Sequence, residues 1–235
     1  MVSWWGRRAK GSVPARQRSR QRPVNRVELG DFTPGLEVYL GQAAYLQLAL
    51  FETLGRASAI APHTRAKAMT GLLATTTLER HRGLVAEIER GGDDAADTMK
   101  PYVGPIDDFQ KRTGGGDWYE ATLGSYVVAG LLNDTFSRLA AGLPSDNRDR
   151  VIAVLEETDD EAAIVAELSR AILADPQLAS RLALWGRRLV GDTLLMARTA
   201  ISASHQPTDD QQLEPVLTEL VAAHTRRMDA LGLTA

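Results

Sequence analysis

From residue 34 onward, apolar side chains recur every three or four positions, which is the spacing of one face of an α-helix. The first stripe predicts a helix over about residues 35–56, and the second predicts a helix that begins near Pro62 and ends near residue 90. Gly91 and Gly92 follow directly and are typical of a helix end. Because no stretch alternates as a strand does, the pattern predicts an all-α protein.

The second half of the chain continues the helical pattern after a long interruption. Residues 91–116 contain two prolines and three consecutive glycines, which predict a connection rather than a helix. Asp117 is predicted to cap a third helix, because its carboxylate can accept hydrogen bonds from the first free amides. The helices predicted after it start near Ser145 or Asp146, near Pro176 and near residue 211.

The lengths of these connections predict how the helices pack. Short turns join the first helix to the second and the third to the fourth, so each pair is expected to form an antiparallel hairpin. The connection of about 26 residues then crosses from one hairpin to the other. This order is typical of a ferritin-like four-helix bundle with one long crossover, here with additional C-terminal helices. Other bundle topologies stay open at this point.

Charge divides the chain into two unlike parts. Residues 1–26 carry eight basic side chains and no acid, which leaves nineteen basic against thirty acidic side chains in the remainder. The formal net charge of −3 therefore averages a basic segment and an acidic body. We predict a disordered tail over residues 1–30 and a helical domain over residues 31–235. The candidate polyanion-binding residues of the tail are Arg7, Arg8, Lys10, Arg16, Arg18, Arg20, Arg22 and Arg26.

Composition excludes several classes of chemistry. The chain has no cysteine, so it forms no disulfide, thiolate metal site or iron–sulfur cluster. It has no apolar run long enough for a transmembrane helix, and we predict a cytoplasmic protein without a transmembrane segment. No phosphate-binding loop or nucleophile-elbow motif is present.

Three stretches of the sequence carry a resemblance to a known family. They are residues 45–54 (YLQLALFETL), 117–130 (DWYEATLGSYVVAG) and 181–192 (RLALWGRRLVGD). Over roughly residues 36–203, the chain resembles the ferritin-like tRNA hydroxylase-type proteins of actinobacteria, relatives of the enzyme that hydroxylates methylthio-isopentenyl-adenosine. The resemblance implies a dinuclear iron site held by carboxylates and Glu-x-x-His pairs on four helices, and hydroxylation of a tRNA base.

The residues at the implied ligand positions depart from that pattern. Gln47, Leu78 and Ala129 occupy positions where the family has acidic ligands, and none of the three supplies a carboxylate. A histidine survives at the second helix, and an acid pair with i, i+3 spacing survives at the fourth. These candidate vestigial metal ligands are His81, Glu157 and Asp160. The resemblance therefore implies a degenerate dinuclear site.

Two local alternatives follow for these positions. His81, Glu157 and Asp160 could hold a single metal ion, but we favour a core histidine that is hydrogen-bonded to an acid of the fourth helix. Gln47, Leu78 and Ala129 could line a ligand pocket, but we favour ordinary packing.

Three hypotheses for function remain. The first is a degenerate ferritin-like protein that acts in binding or scaffolding, for which no cofactor is expected. The second is an iron-dependent tRNA-modifying hydroxylase with an altered metal site. The third is an adaptor that binds RNA or another polyanion through the basic tail. A homodimer through the apolar faces of the last helices is compatible with each of them.

Overall fold

The computed structural model describes residues 29–155, 160–202 and 210–234. In these three ranges the secondary structure is helical, with no strand. The all-α prediction is therefore confirmed. The eight basic residues of the predicted tail and residue Glu157 lie outside the described residues.

The first hairpin consists of α1 (Leu36–Ala59) and α2 (Thr64–Arg90), which pack against each other along their lengths. His63 caps α2, because its Nδ1 accepts a hydrogen bond of 3.2 Å from the backbone N–H of Ala66. The same imidazole lies 3.1 Å from Glu167 through Nε2. These bounds agree with the periodicity of the sequence to within a few residues.

The crossover contains helical structure that the sequence pattern did not predict. It comprises α3 (Ala95–Met99), a 3₁₀ helix (Lys100–Tyr102) and α4 (Val103–Thr113). The crossover lies directly against α1 at Gly41, where a Cβ atom would come within 2.5 Å of the carbonyl oxygen of Thr98. The absence of a side chain at Gly41 therefore sets the position of the crossover.

The second half of the bundle begins with α5 (Trp118–Leu139), which Asp117 caps as predicted by accepting from the amide of Glu120 at 2.9 Å. A 3₁₀ turn (Ala140–Gly142) leads to α6 (Ser145–Leu155) and α7 (Asp160–Ala174). The sequence predicted one helix over both ranges, and residues 156–159 between them lie outside the described residues. Both pack on α2 and α5, and α1 packs on α5, which closes a four-sided bundle.

Two further helices lie outside this bundle. Helix α8 (Pro176–Ser202) packs mainly on α5, and α9 (Asp210–Ala230) packs on both α5 and α8. Gly186 allows the close approach of α9, because a Cβ there would collide with the side chain of Met228. The predicted additional C-terminal helices are thus present.

The described chain begins with a 3₁₀ helix, Leu29–Phe32, in which Leu29 and Phe32 are buried. Leu29 and Gly30, which the sequence analysis assigned to the tail, therefore belong to the packed fold. The Thr33 hydroxyl donates to the carbonyl oxygen of Leu139 and fastens this segment to the end of α5.

Candidate functional site

The bundle interior holds a pair of side-chain amides. Gln47 of α1 donates from Nε2 to Oδ1 of Asn133 on α5 at 2.7 Å, and Gln47 exposes only 1% of its surface. The Oε1 atom of Gln47 has no hydrogen-bond partner among the described residues. A neutral amide bridge therefore occupies the position at which the resemblance implied a carboxylate.

His81 is anchored to the neighbouring helix through the backbone. Its Nδ1 lies 2.9 Å from the carbonyl oxygen of Ala44 on α1, so Nδ1 carries the proton and donates it. The side chain is half-buried. The predicted acid partner of His81 cannot be assigned, because Glu157 and the side chain of Asp160 lie outside the described residues.

Among the cavities lined by described residues, none brings Gln47, Leu78 and Ala129 together. Leu78 is half-buried on α2. Ala129 of α5 packs on the core and lines a narrow cavity of about 40 Å³ to which neither Gln47 nor Leu78 contributes. This arrangement favours the interpretation of these positions as packing.

The sequence analysis missed the most polar part of the interior. Arg80 of α2 is 9% exposed, and together with Glu161 of α7 it lines both the narrow cavity and a second one of about 210 Å³. Arg80 stands three residues after the buried Thr77 and four before the buried Leu84. That spacing places Arg80 on the apolar side of α2 and was the signal that could have identified it, whereas the sequence analysis singled out the neighbouring His81.

A second guanidinium reaches the larger cavity from outside the bundle. Arg227 of α9 donates to Asp134 of α5 at 2.9 Å, and it lies against Gly130, where a Cβ would collide with it. Burial lowers the pKa of Arg227, but the hydrogen bond to Asp134 and the charges of Asp134 and Glu161 outweigh this effect, so the net shift is upward. Arg227 is therefore a fixed positive charge beside the interior.

The described residues do not fit a dinuclear iron centre. A metal pair requires several carboxylate or imidazole ligands that converge on one point, and no group of three His, Asp or Glu side chains in the described ranges could hold a metal ion. The interior presents the Gln47–Asn133 amide bridge and the cation of Arg80. A buried guanidinium repels a divalent cation placed beside it.

These observations define the class of protein as an all-α bundle of ferritin-like topology with an amide bridge and arginine in its interior. The chain matches the family model described as "Ferritin-like domain, actinomycetes" over residues 33–210, which is well over half of its length. It belongs to that family. The search of curated proteins found no match to this chain.

No helix in the described part of the chain is both long enough and apolar enough to cross a bilayer.

Proposed function

We propose that the protein is a metal-independent member of its ferritin-like family, which acts by binding or scaffolding and lacks an intact dinuclear iron centre. The Gln47–Asn133 hydrogen bond carries this proposal. This bond joins α1 to α5 in the bundle interior. A dinuclear iron centre would need bridging carboxylates at this place, because only they can hold two iron ions close together. Arg80, which lines the interior cavities, supports it further.

Metal content measured by elemental analysis tests this proposal. The full chain would be purified both without added metal and after incubation with ferrous iron under anaerobic conditions. We expect iron far below one atom per chain in both preparations, and a thermal midpoint that neither iron nor a chelator changes. The variant His81→Ala should behave in the same way. About two irons per chain that are lost in His81→Ala would contradict the proposal.

One observation favours the alternative of an iron-dependent tRNA-modifying hydroxylase with an altered site. The Nδ1–H of His81 donates to a backbone carbonyl, which is how metal-binding histidines are commonly oriented. In this alternative Nε2 of His81 would bind iron together with Glu157 and Asp160. Incubating the protein with ferrous iron, a reductant, oxygen and unfractionated tRNA, followed by nucleoside mass spectrometry, would reveal a hydroxylated base. An unchanged nucleoside profile would contradict this alternative.

The third candidate is an adaptor that binds RNA or another polyanion in the cytoplasm through residues 1–30. The eight cations of residues 1–26, without a single acid among them, support it. Contacts between cations and phosphates release counterions, so binding should weaken steeply as salt is raised. Deleting residues 1–30 should abolish binding to unfractionated tRNA in a low-salt filter assay, and unchanged binding would contradict the role of the tail. Sedimentation of the same samples would also test whether the chain forms a homodimer through the apolar faces of its last helices.

A further inference from the structure

The largest described cavity lies outside the bundle interior. It has a volume of about 420 Å³ and is enclosed by α1, the crossover, α5 and the last turns of α8. Its floor is buried and mostly hydrocarbon, from Leu46, Ile106, Phe136 and Ala200. Its rim includes exposed residues of the crossover and of α8, so a molecule could enter from solvent. The volume falls within the range of small-molecule pockets.

One polar side chain faces this apolar cavity without a partner. Gln42 of α1 is 8% exposed and lines the cavity, and its Oε1 has no hydrogen-bond partner among the described residues. A buried amide oxygen without a partner is costly, because folding removes its bond to water. A hydrogen-bond donor on a bound molecule would supply the missing partner.

The remaining chemistry of the lining restricts what can bind. Among the described residues that line the cavity none carries a charge, so an ionic molecule would lose its hydration without compensation from them. Thr199 is among the few polar residues of the rim, and its hydroxyl already donates to the carbonyl oxygen of Leu195 at 3.0 Å. Tyr102, which also lines the cavity, is half-buried, and Thr199 and Ser202 are exposed. Gln42 is the buried polar residue of this lining and is therefore the group best placed to orient a ligand.

We propose that this cavity, which we call the crossover pocket, binds an uncharged and mainly hydrocarbon small molecule whose hydrogen-bond donor bonds to Gln42. The proposal rests on the binding function proposed above and names the chemical class of its ligand. Gly41 allows the wall of the pocket to form, because the absence of a side chain there lets Thr98 and Tyr102 of the crossover lie against α1.

Fluorescence titration with N-phenyl-1-naphthylamine tests the crossover pocket. This probe is uncharged, consists mainly of two aromatic units and carries one N–H donor. We expect saturable binding of one probe per chain, and at least tenfold weaker binding of the sulfonated analogue 8-anilinonaphthalene-1-sulfonate. Non-saturable binding, or tighter binding of the sulfonated analogue, would overturn the proposal.

Two variants and a control locate the binding. Ala200→Phe places a ring in the cavity and should weaken binding at least tenfold, whereas Ala222→Phe adds the same ring to an exposed position of α9 and should change nothing. Gln42→Leu should weaken N-phenyl-1-naphthylamine about five- to tenfold. It should leave the affinity for 1-phenylnaphthalene, which lacks the N–H, unchanged.

The two proposals can fail separately. If Ala200→Phe binds N-phenyl-1-naphthylamine as tightly as the wild type does, the crossover pocket is overturned. If circular dichroism shows that Ala200→Phe does not fold, Gln42→Leu decides instead. The proposal is then overturned if Gln42→Leu changes the affinity for neither N-phenyl-1-naphthylamine nor 1-phenylnaphthalene. Iron is measured in the same preparations. Bound iron would contradict metal independence, while the probe titrations would still decide whether the crossover pocket exists.

Discussion

Glu87 of α2 is bound by the guanidinium of Arg150 on α6, with Nε of the arginine 2.9 Å and 2.8 Å from the two carboxylate oxygens. Glu87 is 4% exposed, and Arg90 of the same helix donates to it as well. A buried carboxylate is tolerated only where charged donors replace its water. This contact therefore holds α6 against the first hairpin.

The variant Glu87→Gln removes the charge and retains the shape of the side chain. We expect the free energy of unfolding to fall by about 1–3 kcal/mol, because the two guanidiniums lose their counter-charge. Urea unfolding followed by circular dichroism measures the change. Glu52→Gln is the matched control, since Glu52 pairs with Arg56 in α1 where both side chains are exposed, and it should cost less than about 0.5 kcal/mol. Equal losses in the two variants would contradict a role for Glu87 as a buried anchor.

The amide bridge in the bundle interior leads to a second prediction. Asn133→Leu leaves Nε2 of Gln47 buried without its acceptor and should lower the free energy of unfolding by about 1–3 kcal/mol. Adding Gln47→Met replaces the amide that lost its partner by an apolar side chain of similar length. The double variant should therefore regain most of the free energy of unfolding that Asn133→Leu loses. Chemical denaturation of the wild type, both single variants and the double variant gives a double-mutant cycle, which measures the interaction free energy of the two side chains. Strictly additive losses would show that the two amides do not stabilise each other.

The helices of the bundle could be predicted from the sequence because their apolar stripes are long and their ends are marked. Asp117 is an N-cap in both the prediction and the structure, and α2 ends beside Gly91 as expected. The crossover helices were not predictable in the same way. They are short, and Pro101 and Pro105 are typical of a loop unless neighbouring helices supply packing. That packing comes from α1 and α8, which lie far away in sequence.

The polar interior was predicted less well, for a physical reason. Successive residues of a helix point about 100° apart, so Arg80 and His81 both lie near the edge of one apolar stripe. The family resemblance implied a metal ligand at His81, and the prediction followed the resemblance. The structure buries Arg80 beside the interior cavities and attaches His81 to a backbone carbonyl. Only three-dimensional packing distinguishes two such neighbours. His224 of α9, which the sequence analysis did not single out, is likewise buried, with 2% of its surface exposed.

Two glycines of α1 provide a third prediction with an internal control. Gly41→Ala directs a methyl group at the backbone of Thr98 and should lower the free energy of unfolding by about 1–3 kcal/mol, because a backbone atom cannot turn aside as a side chain can. A Cβ at Gly55 meets no atom of the described residues within 4 Å, and Gly55→Ala should raise the free energy of unfolding by about 0.5–1 kcal/mol through helix propensity. Thermal and urea unfolding measure both variants. The same sign in the two variants would contradict the close packing of the crossover on α1.

The last prediction concerns acid, and it arises from His224 on α9. Neither of its ring nitrogens has a hydrogen-bond partner among the described residues. Burial lowers the pKa of His224 below its ordinary value, and the positive charge of Arg227 lowers it further. Below about pH 7, the unfolded chain therefore takes up a proton at this position that the folded chain resists.

The sign of the pH dependence follows from this difference. The free energy of unfolding should fall as the pH is lowered from about 7.5 to 5.5, by no more than about 1.4 kcal/mol per pH unit for this one group. His224→Leu places a hydrocarbon in the same buried position and should remove that part of the slope. Urea unfolding at several pH values measures both proteins, with Ala222→Leu as the control, because it adds the same hydrocarbon side chain to an exposed position of α9 and removes no titratable group. Parallel curves for wild type and His224→Leu would show that His224 does not resist protonation in the folded state.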